Sequence, residues 1–431
     1  MTEGFDFIIV GGGPSGCVIA ARLAKSPARP SVLLLEAGGP NEDAAHLTGT
    51  ERYEAEFREG SPLNWAYMTE PQVRGQKIDY SRGKGLGGST AINFCGWVVG
   101  SSEDYDEWAR LVGDDSFGWK NVRRCLQRIE NFHDDVPVGF RERIAPSSED
   151  HGVGGAVDLS YQKEWLPTTD DVFRAAEEVG LGINPDVNNG SPIGMGIGTA
   201  CIYKGTRKII FKQGVAVGVK VTSGPRFRAR KEVIISGGAI NSPQLLLLSG
   251  LGPEQELRKH GIPRVLDLPQ IGRNLQDHCF STAGIVIEKG SATTPPLQQS
   301  PSPMGWFQLP AVLSMRDMLR FFQAPTWKRK TVRHASWPQD SSDKAIWEAF
   351  SSNLRSSWHM AGTVTMGHNA QEACVDSSFN VIGMQNLRVA DMSVCPLLPN
   401  NHTQSTAYII GEIAAEKIVA EHGLNQVRAV L

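Results

Sequence analysis

The 431-residue sequence contains no block of like charge and no apolar run that approaches the length of a membrane span. Its 43 Lys and Arg nearly balance its 46 Asp and Glu, so the formal net charge is only −3. Proteins that bind nucleic acids or anionic membranes usually carry a basic patch, and we expect neither partner here. Hydrophobic residues make up 40% and charged residues 21%, a composition typical of globular proteins. The length allows two or three domains.

Cysteine is sparse and scattered. The seven cysteines are odd in number and none stands in C-x-x-C spacing, which argues against a disulfide framework and against a zinc site. We therefore expect no metal, and mostly reduced, buried thiols in a reducing compartment. The first predicted strand begins at Phe5, which leaves no room before it for a cleaved signal peptide. The sequence predicts a cytoplasmic protein.

A glycine-rich turn near the start of the chain follows an apolar, β-branched strand at residues 5–10. The turn reads G-x-G-x-x-G at Gly11, Gly13 and Gly16, and small and apolar residues at helical spacing continue over 17–24. The first glycine permits a tight turn, the second lets backbone approach a pyrophosphate, and the third lets helix and strand pack closely. This strand, turn and helix are typical of dinucleotide binding.

The flanks of the turn support the same interpretation. Pro14 and Ser15 lie in this turn, and the N-terminus of the helix that follows presents N–H groups and the positive end of the helix dipole to phosphates. A second predicted strand, 31–35, is followed by Glu36 and Ala37. The carboxylate of Glu36 lies about 20 residues beyond the last glycine, where an acid can bind an adenosine ribose hydroxyl. These features leave the choice between NAD and FAD open.

A second glycine-rich segment spans residues 82–93 (RGKGLGGSTAIN) and contains four glycines. Such a segment lets backbone lie against a flat ligand or phosphates with its N–H groups exposed, although by itself it could be a flexible loop. It closely resembles the first sequence pattern of the glucose-methanol-choline (GMC) oxidoreductases, in which it runs along the flavin and its pyrophosphate. The resemblance therefore favours FAD over NAD.

Three later blocks extend the resemblance in family order. Residues 238–252 resemble the second GMC pattern; a predicted buried strand at 232–236 precedes them, and Pro243 suits the first turn of the helix that follows. Residues 271–278 match a further block. Residues 386–391 resemble the strand that brings an acid to the flavin. Because the blocks are spread over the whole chain, an isolated glycine motif does not account for them.

The resemblance implies an α/β fold with a Rossmann-like FAD-binding domain, in which helices flank a parallel sheet. This domain is expected to be discontinuous, built from residues 1–160, 196–282 and 376–431. A shortened α+β substrate domain is expected from residues 161–195 and 283–375.

The resemblance also implies the residues that contact FAD. We expect non-covalent binding, because some members carry a histidine that bonds to the flavin and Ile92 stands at the matching position. Asn93 matches the asparagine that approaches the reactive edge of the isoalloxazine. The expected cofactor-binding residues are Gly11, Gly13, Pro14, Ser15, Gly16, Glu36, Ala37, Arg82, Gly83, Gly87, Gly88, Ser89, Asn93, Gly237, Ala239, Asp391, His402 and Thr403.

Two histidines match the catalytic blocks of the family. His359 lies in an H-x-x-G-T block and His402 occupies the P-x-x-[N/H] position. The implied reaction is oxidation of a small-molecule alcohol: neutral His359 takes the hydroxyl proton while hydride passes to flavin N5, and His402 orients the substrate and steadies the developing alkoxide. Oxygen or another acceptor then reoxidises the flavin. The other eight histidines, including His278, fall in no block that assigns them a catalytic role.

Two stretches are shorter than the family pattern. Arg207 and Lys208 are adjacent where full-length members insert a region with a strand that encloses the adenosine half of FAD. Only 80 residues separate His278 from His359, where the family places most of its substrate-domain sheet. The shortening has three explanations: omitted disordered loops, an imperfect gene model, or a reduced homologue.

The second short stretch still contains recognisable segments. Residues 291–303 are low in complexity and rich in Ser, Thr, Gln and Pro, which predicts no ordered core there. Residues 313–322 and 343–354 predict amphipathic helices. We expect core packing for the tryptophans of this region, although each could line the pocket: Trp306, Trp327, Trp337, Trp347 and Trp358.

Three other functions are compatible with parts of the sequence. A flavin-retaining lyase or cyclase would use the paired histidines for non-redox acid–base chemistry on a metabolite. A degenerate homologue would neither bind FAD nor catalyse. An NAD-dependent dehydrogenase would explain the first glycine motif but none of the later blocks.

Overall fold

The structure of the chain is a computed structural model that describes residues 4–41, 59–161, 165, 168–201, 227–287, 303–306 and 311–426. Its strands are β1 (Gly4–Val10), β2 (Val32–Leu35), β3 (Gly96–Trp97), β4 (Glu130–His133), β5 (Val157–Ser160), β6 (Gly194–Ile197), β7 (Thr199–Ala200), β8 (Arg228–Ile235), β9 (Leu251–Gly252), β10 (Leu266–Asp267), β11 (Cys279–Phe280), β12 (Gly284–Ile287), β13 (Pro303–Trp306), β14 (Thr331–Ala335), β15 (Arg355–Ser356) and β16 (Leu387–Val389). Its α-helices are α1 (Pro14–Lys25), α2 (Ser102–Val112), α3 (Trp119–Ile129), α4 (Thr169–Glu178), α5 (Gly238–Leu248), α6 (Glu254–Lys259), α7 (Ala311–Phe322), α8 (Pro325–Lys328), α9 (Asp343–Ser352) and α10 (Gln404–Glu421).

A parallel four-stranded sheet in the order β16, β8, β1, β2 forms the centre of the fold. Phe7 pairs with Val32 on one side of β1, and Ile9 pairs with Ile234 on the other. Phe7 and Ile9 are fully buried, as expected for parallel strands covered on both faces. Burying each such side chain contributes about 1.5–3 kcal/mol. The predicted α/β fold and all four strands of this sheet are confirmed.

The carboxyl ends of these strands meet at one edge of the sheet. β1 ends at Val10 and α1 begins at Pro14, so the first glycine turn lies at this edge. β8 ends at Ile235 shortly before α5 begins at Gly238. β16 ends two residues before Asp391. Ligands of open α/β sheets bind at such an edge, and three of the predicted blocks are brought there together.

A second four-stranded sheet, in the order β3, β7, β5, β4, lies on a buried charged cluster. Trp97 of β3 donates its Nε1–H to Glu130 at 3.0 Å. His151 lies between two carboxylates, with Nδ1 3.3 Å from Glu130 Oε2 and Nε2 3.0 Å from Asp186 Oδ2. Burial by itself lowers the pKa of His151, but the hydrogen bonds to Asp186 and Glu130 outweigh it and raise that pKa to about 9. The imidazole is therefore a cation near pH 7.

A second hydrophobic core joins residues of both segments assigned to a substrate domain with Val136, Ile144 and Ile197, which were assigned to the FAD-binding domain. It combines residues between Val136 and Ile197 with Phe321 and Trp327, which is 5% exposed. β13 pairs antiparallel with β6 across these segments. The amphipathic helices predicted at 313–322 and 343–354 are confirmed as α7 and α9.

Several expectations concern residues or boundaries that the described structure leaves untested. The predicted domain boundaries stay a prediction. Most of the low-complexity stretch, residues 291–302, and the join at Arg207–Lys208 lie outside the described residues.

The position predicted for Pro243 is wrong. The proline was expected in the first turn of its helix, but it is the sixth residue of α5. A proline there cannot donate to the carbonyl four residues earlier, which leaves that acceptor without its helical partner. Thr363 supplies the missing donor, because its Oγ1–H donates to Ala239 O at 2.6 Å. A distant hydroxyl therefore replaces the hydrogen bond that Pro243 cannot make.

The cysteines match the expectation of buried thiols. All seven are free, and all except Cys279 are buried. Among the described residues, no group of three or more His, Cys, Asp or Glu side chains is arranged to hold a metal ion. In the same part of the chain, no helix combines the length and apolarity needed to cross a membrane.

Candidate active site

The first glycine turn is built for a close approach to its backbone. Gly11 has φ 115°, and a Cβ there would lie 2.2 Å from Ser236 O. A Cβ on Gly16 would lie 2.1 Å from Gly11 O. At Gly13, by contrast, a Cβ would meet no heavy atom of the described residues within 4 Å. Glycine at positions 11 and 16 is therefore required by packing, whereas Gly13 borders open space.

The N-terminus of α1 borders the same space. Gly13 is its N-cap, and Pro14 is the first helical residue. Because glycine has no side chain, no side chain of the N-cap residue covers the N–H groups of the first turn. Ser15 donates its Oγ–H to Ala407 O at 2.6 Å, so its side chain joins α1 to α10. The N–H groups and positive dipole end of α1 suit an anion such as a phosphate.

The carboxylate of Glu36 holds the two glycine segments together. It accepts hydrogen bonds from the N–H groups of Gly12 at 2.7 Å, Gly38 at 2.9 Å and Gly85 at 3.0 Å. A carboxylate can accept about four hydrogen bonds, so capacity remains for a ribose hydroxyl. The ribose contact stays a prediction. Ala37, which follows, is exposed.

The second glycine segment lies directly against the first. Gly87 N–H donates to Gly12 O at 2.8 Å. A Cβ on Gly88 would lie 3.0 Å from the Cα of Gly13. Two segments about 75 residues apart in the chain therefore form one backbone-lined cradle, in the way that phosphate-binding loops do.

The start of the second segment is held by its own contacts. Gly83 N–H donates to Ser89 Oγ at 3.2 Å, and a Cβ on Gly83 would lie 2.1 Å from Gly88 O. Arg82 donates from Nη2 to Trp358 O at 2.5 Å. This contact places Arg82, a predicted cofactor-binding residue, beside the H-x-x-G-T block of His359 and outside the cradle.

Asp391 organises the loop before α5. Its buried carboxylate accepts from Gly238 N–H at 2.9 Å, from Ser242 Oγ–H at 2.5 Å and from Ser393 N–H at 2.7 Å. Gly237 is the N-cap of α5. In this structure the acid therefore holds protein donors at the sheet edge. A direct contact of Asp391 with the flavin stays a prediction.

The N-terminus of α10 meets the end of the second glycine segment. Thr403 is the N-cap of α10, and Gln404 is its first residue. The side chain of Asn93 donates to Gln404 Oε1. Ile92 is buried, and its side chain offers no nucleophile. These contacts bring Asn93 and Thr403, both predicted from the sequence, to one place.

The two predicted catalytic histidines are neighbours. The ring centroids of His359 and His402 are 5.4 Å apart, with 48° between their planes. His402 Nδ1 is 3.3 Å from Gly96 O, and a Cβ at Gly96 would clash with this ring at 2.7 Å. The backbone N–H of His359 donates to Asp277 Oδ1 at 2.9 Å. The pairing of these rings, predicted from separate blocks, is therefore present in the fold.

Both imidazoles are neutral near pH 7. Burial lowers the pKa of His359 well below its usual value, and His402, His278 and Arg82 lower it further. Burial also lowers the pKa of His402, although the Gly96 carbonyl opposes this. Burial lowers the pKa of Arg82 to about 10, so its guanidinium keeps its charge beside His359. A neutral imidazole can accept a proton.

Comparisons with known proteins assign the chain to a family. The N-terminal model of the GMC oxidoreductases matches residues 5–208 and 202–280, and the C-terminal model matches residues 308–411. The chain belongs to the GMC oxidoreductase family. It is accordingly an FAD-dependent oxidoreductase, as predicted from the two glycine-rich segments.

Individual relatives in this family cover most of the chain. An alcohol dehydrogenase [acceptor] of Pseudomonas putida is 27% identical over 96% of this chain and 96% of its own length. An oxygen-dependent choline dehydrogenase of Pseudomonas fluorescens is 35% identical over 72% of this chain and 58% of its own length. A formate oxidase variant from Aspergillus oryzae RIB40 superposes with a TM-score of 0.83 at 23% identity, covering 98% of this chain and 99% of that chain.

The comparisons also bear on the shortened regions. The alignment to the P. putida relative extends over 543 residues, so it includes stretches without a counterpart in the 431 residues of this GMC oxidoreductase. The two pieces of the N-terminal match meet at residues 202–208. This is the place where the sequence pattern puts the first missing segment, at Arg207–Lys208.

A third histidine of this GMC oxidoreductase was missed by the sequence analysis. His278 Nδ1 is 2.9 Å from His359 Nδ1, and the rings meet at 86°. The antiparallel pair β11–β15 brings the two residues together, because Cys279 pairs with Ser356. Burial lowers the pKa of His278, with Asp277 acting in the opposite direction. Its place at the end of the 271–278 block was the available signal.

Asp277 was missed as well. It accepts from the backbone N–H of His359 and, at 2.5 Å, from the Oγ–H of Ser356. Gln404 was missed although it directly follows Thr403. Both residues position a predicted partner, and neither stands in a motif that names its role.

Proposed function

We propose that this chain oxidises an alcohol with non-covalently bound FAD, and that His359 accepts the hydroxyl proton. The observation that carries the proposal is the pair of half-buried, neutral imidazoles, His359 and His402, whose centroids lie 5.4 Å apart. The two rings lie where the second glycine segment (residues 82–93), α10 and the H-x-x-G-T block of His359 meet.

The residues of the cradle fit FAD. The open space at Gly13, the N-terminus of α1 and the adjacent Gly88 suit a pyrophosphate. Glu36 retains acceptor capacity for a ribose hydroxyl. FAD supplies the hydride acceptor when bound. Ile92, at the position of the covalent attachment in some members, supports non-covalent binding.

The chain's own residues would handle the proton. The substrate hydroxyl would donate to neutral His359, whose backbone is held by Asp277. Burial keeps the imidazole uncharged before the reaction, so it is able to accept the proton. His402, whose ring is held at Gly96, would contact the substrate oxygen and restrict its orientation. The names of the relatives that act as alcohol and choline dehydrogenases support an alcohol as the hydride donor.

The test is anaerobic mixing of the FAD-loaded protein with a panel of primary alcohols and with formate. We expect an alcohol to bleach the oxidised flavin band. Turnover of a metabolite without bleaching would instead favour the non-redox lyase, and failure to take up FAD would favour a degenerate homologue. Readmission of oxygen or of an artificial acceptor then shows which of them reoxidises the flavin.

The role of each histidine is separated by two matched variants. We expect His359→Asn to slow bleaching by about 100-fold or more, because general-base catalysis typically contributes 10²–10⁴-fold. His402→Asn keeps a polar side chain at the substrate oxygen, so we expect a smaller loss, roughly tenfold. A larger loss in His402→Asn than in His359→Asn would contradict the assignment of the base.

A further inference from the structure

Two aromatic residues are chain neighbours of candidate site residues. Phe94 directly follows Asn93, and Trp358 directly precedes His359. Their ring centroids are 5.8 Å apart, with 33° between the planes. The side chain of Phe94 is 58% exposed, although exposure of so large an apolar ring is unfavourable in water. Ligand pockets are typically lined by aromatic side chains with a few polar groups, and the segments that carry this pair also carry the polar residues Asn93 and His359.

The backbone is held in a conformation that costs energy at Trp358 and at the residue that follows Phe94. Trp358 has φ 56° and Cys95, next to Phe94, has φ 63°. Residues other than glycine rarely adopt the left-handed region, and such strain concentrates at functional sites. Local backbone preferences therefore do not explain the positions of the two rings.

The tryptophan is also clamped by hydrogen bonds. Its backbone N–H donates to Ser356 Oγ at 2.7 Å, and its carbonyl accepts from Arg82 Nη2 at 2.5 Å. Its indole Nε1–H donates to Asp79 Oδ1 at 3.2 Å. A ring fixed in this way loses little conformational freedom when a ligand stacks on it.

We propose that Phe94 and Trp358 form an aromatic wall of the substrate site, and that the substrate is an alcohol with an aromatic ring next to its hydroxyl-bearing carbon. This inference rests on the proposed function of His359. The segment of Phe94 also contains Gly96, whose carbonyl contacts His402, and Trp358 directly precedes His359. The same two chain segments therefore carry the wall and the imidazole pair, and the proposal places the hydroxyl of a stacked substrate at His359. Choline and formate have no ring that could stack on the wall.

The kinetic test uses FAD-loaded protein and compares benzyl alcohol with ethanol, choline and formate. We expect benzyl alcohol to give the highest second-order rate constant for flavin bleaching. Phe94→Ala should lower this second-order rate constant for benzyl alcohol about tenfold, the scale of one lost aromatic contact, and leave that for ethanol within about twofold. Because Phe94 is more than half exposed, the variant loses little buried area on folding.

The matched control is Leu248→Ala, which removes an apolar side chain of 64% exposure at the end of α5 and should change neither rate constant. Faster bleaching by choline or formate would overturn the proposal. An equal loss for benzyl alcohol and ethanol in Phe94→Ala would overturn it too.

A binding test separates this inference from the proposed function. Benzyl methyl ether keeps the ring but has no hydroxyl proton, and its binding is followed by the difference spectrum of bound FAD. We expect about tenfold weaker binding to Phe94→Ala than to the wild type. If this contrast is found while no alcohol bleaches the flavin, the aromatic wall stands and the redox function falls. Equal binding to both proteins overturns the wall, whatever the alcohols do.

Discussion

Replacing Gly13 by alanine separates the binding of FAD from the stability of the fold. Gly13 has φ −73°, which alanine adopts readily, and its Cβ would enter open space. Alanine is a poorer N-cap than glycine by roughly 0.5–1 kcal/mol. Alanine also lowers the conformational entropy of the unfolded chain, which stabilises the folded protein by about 0.4–1 kcal/mol. We therefore expect the free energy of unfolding to change by less than about 1 kcal/mol.

The same methyl group would occupy the space that we assign to the pyrophosphate. We expect the Kd for FAD to rise at least about tenfold, equivalent to about 1.4 kcal/mol. Urea unfolding of the protein without FAD measures the stability, and quenching of FAD fluorescence on titration measures the affinity. Unchanged FAD affinity in Gly13→Ala would refute the placement of the pyrophosphate at this loop.

Two other glycines serve as controls. Gly16→Ala places its Cβ 2.1 Å from Gly11 O, so we expect a loss of stability of about 1–3 kcal/mol from overpacking. Gly139→Ala also points into open space, within the short 3₁₀ helix Val138–Phe140; it should leave the Kd for FAD unchanged and raise the free energy of unfolding by no more than about 1 kcal/mol. A stability loss in Gly13→Ala as large as that in Gly16→Ala would contradict the open space at position 13.

Two further predictions concern stability. The pKa of His151 is raised from 6.5 to about 9 in the folded protein, so its stabilisation is complete below pH 6.5 and is lost as the pH rises through 9. Urea unfolding should show the difference between wild type and His151→Gln shrinking by about 3 kcal/mol from about pH 6 to about pH 10; a pH-independent difference would contradict a cationic His151. Thr363→Val should cost about 1–3 kcal/mol, because it leaves a buried carbonyl without a donor. In a Pro243→Ala background, alanine restores the helical N–H, so the cost of Thr363→Val should shrink; an undiminished cost would count against this account.

The local features of this chain could be predicted because they depend on neighbouring residues. The strand, glycine turn and helix around Gly11 and Gly16 follow from sterics within a few residues, and the structure shows the clashes that any Cβ would cause there. The periodicity of apolar residues was sufficient for α7 and α9. The parallel arrangement of the strands was expected from the resemblance to the GMC family.

Only the tertiary structure decided how side chains from distant segments meet. His278 contacts His359 because β11 pairs with β15, a register that no local pattern specifies. Pro243 is tolerated inside α5 because Thr363 reaches its orphaned acceptor from 124 residues away. The sequence by itself determined which segments could bind a dinucleotide and which histidines to consider. The partners of those residues were set by long-range packing, where each contact depends on the whole fold and not on the residues beside it.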